Sequence, residues 1–163
     1  NFIDDLTGLY NSRYMARVLD TEISRVDRDS SVFSVLFVDV DHLKRVNDEK
    51  GHLMGSQVLV EVGKILQDAV RTTDYAFRYG GDEFILVLVG ADEVESRVVA
   101  ERIRSRVEKH SFLYKGHELR VTLSVGIAAF PKHAKTRDDL IRMADEAMYA
   151  GKRKSRNTVF VAS

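Results

Sequence analysis

Apolar positions along the chain follow two rhythms, one of helices and one of strands. Tyr14, Met15, Val18, Leu19 and Ile23 share one helix face and predict a helix over 11–28, followed by a polar loop over 27–31. Val32 to Val38 is a nearly continuous apolar, β-branched run, the pattern of a strand covered on both faces, and it ends in Asp39-Val40-Asp41. Val58, Leu59, Val62, Ile65, Leu66, Ala69 and Val70 predict an amphipathic helix over 56–71. Phe77 to Tyr79, then Gly80-Gly81, then Phe84 to Leu88 reads as strand, tight turn, strand. A helix is predicted over 92–109, with Val94, Val98, Ala100, Ile103 and Val107 inward. A polar turn at Lys115-Gly116-His117 separates two short extended pieces. Val121, Leu123, Val125, Ile127 and Ala129 alternate strictly, which predicts a half-buried strand ended by Pro131. A helix over 138–150 places Leu140, Ile141, Ala144, Ala147 and Met148 on its core face, and 158–161 reads as a last strand. Interleaved helices and strands with hairpins among them predict an α+β fold, an α/β sandwich with one mixed or antiparallel sheet under helices.

Composition narrows the possibilities. At 163 residues and 44% hydrophobic, the chain makes one ordinary domain with a sizeable core. Twenty-five Lys and Arg balance 25 Asp and Glu, which argues against a dedicated nucleic-acid-binding module. The absence of Cys removes disulfide frameworks, Cys-ligated metal sites and thiol catalysis, and it fits a reducing compartment. No apolar run approaches the roughly 20 residues of a membrane helix. The chain opens on Asn1 rather than Met, so it is expected to be a piece of a longer protein.

Three features carry chemistry. Asp39 and Asp41 end a buried strand, where side chains project into a crevice. Asp82 and Glu83 are adjacent at a hairpin tip, an arrangement that costs stability through repulsion unless a cation is shared. If that hairpin lies beside the first strand, Asp39, Asp82 and Glu83 converge, and such a set suits a hard divalent cation such as Mg²⁺. Lys152, Arg153, Lys154 and Arg156 form a basic cluster after the last helix. Carboxylates facing cations is a layout that grips a triphosphate. Each feature also has an ordinary structural reading: a solvated strand end, a hairpin needing positive φ, a solvated basic tail. Residue chemistry leaves both open, and no P-loop is present.

The linked motifs resemble the GGDEF family, the diguanylate cyclases. Arg78-Tyr79-Gly80-Gly81-Asp82-Glu83-Phe84 is similar to the family signature. Asp4-Asp5-Leu6-Thr7-Gly8-Leu9-Tyr10-Asn11 resembles its opening, and Asp39-Val40-Asp41-His42-Leu43-Lys44 with Asn47-Asp48 and Gly51-His52 its metal and guanine motif. Ser124-Val125-Gly126-Ile127-Ala128 resembles its late strand. Ala144-Asp145-Glu146-Ala147-Met148-Tyr149, Lys152 and Arg156-Asn157 resemble its closing motif, with Ser155 where the family usually has Gly. The likeness spans essentially the whole chain. It implies a single GGDEF domain over 1–163, preceded in the full protein by a sensory and dimerisation region.

The resemblance implies a palm-like cyclase fold, a five-stranded sheet among helices with the signature on a hairpin, that joins two GTP into cyclic di-GMP and releases two pyrophosphates. It places Mg²⁺ (or Mn²⁺) on Asp39, Asp82 and the carbonyl of Val40. It makes Glu83 a metal ligand or a helper in activating the 3′-hydroxyl, so Asp82 and Glu83 are the expected catalytic pair. Gly80 and Gly81 let backbone approach the nucleotide. Lys44, Lys152, Arg156 and the amides of His42 and Leu43 are expected on the phosphates, and Asn47 on guanine. Each domain holds one triphosphate, so the active form is a homodimer. The resemblance also implies a bacterial cytoplasmic protein whose domain contacts neither nucleic acid nor membrane. His42 and His52 fall at structural and nucleotide positions rather than zinc positions, and His110, His117 and His133 are expected on the surface.

The family's second guanine-reading residue, an Asp, is replaced by Ser56. A carboxylate accepts from guanine and repels the bare N1 of adenine, whereas a hydroxyl donates or accepts. This position resembles the hybrid promiscuous (Hypr) subgroup, which takes ATP beside GTP and makes 3′,3′-cGAMP, so ATP is an expected second substrate. The alternatives are a strict diguanylate cyclase and an inactive receptor of cyclic di-GMP. Arg71-Thr72-Thr73-Asp74, five residues before Gly80, is similar to the family's inhibitory product site, with Arg102 as a supporting cation.

Overall fold

The computed structural model describes residues 1–163. Five strands form the main sheet in the order β2 (Tyr75–Arg78), β3 (Glu83–Val89), β1 (Phe33–Val40), β6 (Leu123–Phe130), β7 (Thr158–Val161). β1 lies at the centre, antiparallel to β3 and β6, while β7 runs parallel to β6, so the sheet is mixed. A separate two-stranded ribbon pairs β4 (Phe112–Tyr114) with β5 (His117–Leu119).

Helices cover both faces. Alternate residues of β1 point to opposite sides. Leu36, Val38 and Val40 pack with α3 (His52–Ala69) and α4 (Glu93–Lys109). Phe33, Val35 and Phe37 pack with α1 (Ser12–Asp29) and α5 (Arg137–Lys154). Asp39 shares the second parity, so the strand delivers it to the α5 side.

The structure departs from the sequence expectations in several places. A helix, α2 (Leu43–Lys50), precedes α3, and α3 begins at His52 rather than 56. Only Leu43 of α2 is buried, so the segment carries almost no apolar periodicity. In α4 the inward face is Ser96, Ala100, Ile103 and Val107, whereas Val94 and Val98 are exposed. The capping box of Asp92 with Glu95 fixes where that helix starts and therefore which face turns in. β6 is buried along its whole length, not half-buried. Its alternation is large against small: Leu123, Val125 and Ile127 face α3 and α4, while Ser124, Gly126 and Ala128 make room for α5. Lys152, Arg153 and Lys154 form the last turn of α5, where cations complement the helix dipole, rather than a tail beyond it. His133 is half-buried with its side chain largely covered, and its Nδ1 accepts a hydrogen bond from the Ala129 amide (2.9 Å), while His110 Nε2 pairs with Glu61 (2.8 Å), so His117 alone of those three is a plain surface residue.

Candidate active site

The β1–β3 register sets Asp39 opposite Glu83, and the Val40 amide donates to the Asp82 carbonyl (3.0 Å). Asp39 at the end of β1, Glu83 at the start of β3 and Asp82 in the turn just before it thus lie at one end of the sheet, near enough for their charges to act on one another. Burial pushes the Asp39 carboxyl up to about 6; the Lys152 bond opposes this, and the charges of Asp82 and Glu83 add to it. Burial likewise raises Glu83, helped by Asp82 and Asp145. Lys152 Nζ donates to Asp39 Oδ2 (2.5 Å), while Asp39 Oδ1 is buried with no partner.

The hairpin tip is braced from outside the motif. Arg78 donates through Nε to the Gly80 carbonyl (3.0 Å) and through Nη2 to the Gly81 carbonyl (2.8 Å), and its Nη1 holds Asp4 at 3.3 Å. Asp4 also accepts from the amide (2.9 Å) and hydroxyl (2.7 Å) of Thr7. The N-terminal motif therefore anchors the signature. Neither Gly80 nor Gly81 takes a positive φ, so the hairpin does not depend on one. A β-carbon on Gly80 would stand 2.7 Å from Glu83 Oε1, and one on Gly81 would meet nothing within 4 Å, which leaves that backbone open to a ligand.

Beyond β1 the chain turns through His42, at φ 61°, into α2. The first amides of that helix have no intrahelical acceptor and form an anion-binding end. Lys44 is exposed beside it. Burial, then the neighbouring charges of Arg45, Arg156 and Lys152, lower the His42 pKa, so this corner is a field of cations. Asn47 packs its amide against Gly55, next to Ser56, and neither Asn47 nor Ser56 makes a side-chain hydrogen bond within the domain. Arg156 is exposed on a left-handed turn (φ 56°) after α5.

Sequence reasoning missed Asp41 as an anchor. It is almost fully buried, accepts from Thr122 Oγ1 (2.7 Å), Ser124 Oγ (2.7 Å) and the Asn157 amide (3.0 Å), and lies 3.7 Å from Lys152. Its place two residues after Asp39 on one strand face was the only local signal.

On the far side of the molecule Arg71, Asp74 and Arg102 line a cavity of about 320 Å³ with Ala69, Leu88 and Val99. Arg71 pairs with Asp74 at 3.3 Å and donates to the Val89 carbonyl (2.5 Å), and Arg102 donates to the Ala69 carbonyl (2.8 Å).

Residues 1–158 match the family described as diguanylate cyclase, GGDEF domain. The chain belongs to the GGDEF domain family. It is 45% identical to diguanylate cyclase DosC of Escherichia coli over 96% of its length, and 38% identical to the response regulator PleD of Caulobacter vibrioides, again over 96%. Those alignments cover 34% and 35% of the relatives, so the chain spans about a third of the curated proteins it matches. Among solved structures, the GGDEF domain of TpbB (YfiN) from Pseudomonas aeruginosa superposes with a TM-score of 0.95 at 32% identity, covering 99% of this chain and 94% of that one. The GGDEF domain of DgcB from Caulobacter crescentus, solved with c-di-GMP, superposes at 0.92 with 27% identity, covering 98% and 95%. The mixed sheet among helices is the GGDEF fold, as the motifs implied.

The donor set fits a hard divalent cation. All the converging groups are oxygens, and one buried Asp39 oxygen lacks a partner. No three acidic or His side chains gather closely enough to hold an ion unaided, which accords with a site completed by a backbone carbonyl and substrate phosphates.

Proposed function

We propose that this domain is one half of a cyclic dinucleotide synthase: two GTP are condensed to cyclic di-GMP with release of two pyrophosphates. The observation that carries this is the Asp39–Glu83 pairing beside Lys152, which sets carboxylates against a cluster of cations at the open end of the sheet. Relatives at 38–45% identity include named diguanylate cyclases, and one superposed domain was solved with c-di-GMP.

Asn47 and Ser56 face the purine. Lys44, the α2 amides at His42 and Leu43, Lys152 and Arg156 hold the phosphates. A divalent cation (Mg²⁺ or Mn²⁺) held by Asp39, Asp82 and the Val40 carbonyl supplies positive charge to the phosphates and acidifies a bound hydroxyl. Glu83, with its raised pKa, accepts the proton of the attacking 3′-hydroxyl. The 3′-oxygen bonds to the α-phosphorus and the bond to the β-phosphate breaks, so pyrophosphate leaves. Each domain supplies one nucleotide, so two must face each other, and repeating the step in the opposite sense closes the ring. Arg71, Asp74 and Arg102 form a second site for the cyclic product.

Ser56 extends the substrate range to ATP, which makes cGAMP a product and places the domain with the Hypr subgroup. Ser56 follows Gly55, against which the Asn47 amide packs, and its hydroxyl can donate to adenine N1 or accept from guanine. Losing the carboxylate's charge-assisted bond costs guanine about 1.5–3 kcal/mol and removes the repulsion of adenine.

The test is to fuse the domain to a dimeric coiled coil and supply equal GTP and ATP with Mg²⁺. Products are then resolved by mass. Pyrophosphate release with both cGAMP and cyclic di-GMP is expected, and Ser56→Asp returns the preference to GTP. Cyclic di-GMP as sole product overturns the ATP reading. No pyrophosphate at all makes the domain a receptor.

A further inference from the structure

The reaction needs Lys152 and Arg156 at fixed places over the phosphates, yet both are long side chains at the end of a helix. The turn that follows is unusual. Arg156 and Asn157 adopt left-handed backbone in succession, at φ 56° and 48°, a conformation that asparagine tolerates but that is uncommon for an arginine and more so for two consecutive non-glycine residues. Three hydrogen bonds hold Asn157 in place. The Asn157 amide donates to Asp41 Oδ2 (3.0 Å). The Asn157 side chain accepts from Arg104 Nη1 (2.8 Å) and donates to Glu108 Oε2 (2.6 Å), both on α4. Asp41 is held in turn by Thr122 and Ser124, and its other oxygen faces Lys152 at 3.7 Å.

We propose that Asp41 is a positioning residue: its buried carboxylate pins the turn after α5 through the Asn157 amide, and so sets where Lys152 and Arg156 meet the nucleotide's phosphates. This rests on the assignment of those cations to phosphate binding. Asp41 offers almost no surface to a ligand. It is nearly inaccessible and all its bonds are internal. A buried carboxylate is expensive unless fully partnered. Here three donors and a nearby ammonium meet that cost, and the result couples β1, β6, α4 and α5 at one point. Two carboxylates divide the work, Asp39 near the end of β1 in the site and Asp41, just past the strand, behind it.

The experiment is calorimetric titration of the isolated domain, in Mg²⁺ and at concentrations where it is monomeric, with GTP and separately with GMP. Asp41→Asn keeps an oxygen for the Asn157 amide but removes the negative charge facing Lys152. GTP affinity should fall about tenfold, with GMP affinity unchanged within about twofold. Asn157→Gly suits the left-handed backbone and releases the turn from α4. It should weaken GTP selectively by about threefold, and it carries the test if Asp41→Asn does not fold. Lys152→Ala is the control for the underlying reading. If it fails to weaken GTP more than GMP, phosphate binding by Lys152 falls and the positioning role falls with it. If Lys152→Ala is selective while Asp41→Asn and Asn157→Gly bind GTP like the parent, only the positioning role is overturned. Equal losses of GTP and GMP with a lowered melting temperature also overturn it, because that is what a purely structural residue produces.

Discussion

The amide oxygen of Asn47 occupies the space beside Gly55 so closely that a β-carbon there would lie 1.8 Å from it. Gly55 is thus a seat for the residue assigned to the purine. Gly55→Ala must push Asn47 aside. Alanine also favours the helix by about 1 kcal/mol over glycine, so stability should hold or rise while purine recognition suffers. GTP affinity is expected to fall about tenfold for loss of the base contact. Calorimetry for binding and thermal unfolding for stability separate the two effects. An unchanged affinity would mean that Asn47 does not read the base.

Asp39 makes the site costly in the absence of metal. Its pKa is raised to about 6, above the 3.8 of the unfolded chain, so the native state binds this proton more tightly than the unfolded state. The stability linked to this group is full below about pH 4 and is lost as pH rises through about 6. Asp39→Asn removes that loss. The variant's stability relative to the parent should therefore grow by about 1–3 kcal/mol between about pH 4 and pH 8 without metal, after allowance for solvent screening. Lys152 loses its partner in the variant at every pH, so that term cancels from the slope. Urea unfolding across this range is the measurement. A difference that shrinks with pH would show that the Lys152 pairing, rather than burial, governs Asp39.

These cases show which parts of the molecule were legible in the chain. The apolar run of β1, the periodic stretch of α3 and the double glycine of the hairpin are local patterns, and each was read correctly in kind. The convergence of Asp39 with Asp82 and Glu83 followed once the hairpin was placed beside β1. The polar α2 was invisible because one buried leucine gives no period. The face of α4 was misread because Val94 and Val98 are exposed while Ser96 turns in. The roles of Asp4, Asp41 and Asn157 depend on partners 49 to 116 residues away, brought together by tertiary packing that no local pattern encodes.

The cavity proposed for the cyclic product is best probed through Arg71, not Asp74. Asp74 is buried and accepts from the backbone amides of Arg71 and Val89, both at 3.0 Å. Removing it strands two amides at about 1–3 kcal/mol each, so any binding loss would be confounded by stability. Arg71 is mostly exposed, and Arg71→Ala should change stability by less than about 1 kcal/mol. It should abolish cyclic di-GMP binding to the isolated domain. In the paired enzyme it should let turnover continue at product concentrations that silence the parent. Retained product binding by Arg71→Ala would remove the cavity's assigned role.

At Gly126 the backbones of β6 and α5 come close together. A β-carbon there would stand 2.0 Å from the Ala144 carbonyl oxygen and 2.3 Å from the Met148 amide nitrogen. Both obstacles are helix backbone, so no rotamer change relieves them, and Gly126→Ala must lift α5 off the sheet. Overpacking of this kind costs about 1–3 kcal/mol, or about 3–10 °C of melting temperature in a domain of this size. The same helix carries Lys152 at its far end, where its ammonium reaches Asp39. Stability and GTP affinity should therefore fall together, unlike the Gly55→Ala case. Trimming the neighbouring side chain with Met148→Ala should not restore either, because the clash is with main-chain atoms. Rescue by that second substitution would show that side-chain crowding alone excludes a larger residue, and that the helix is free to keep its place.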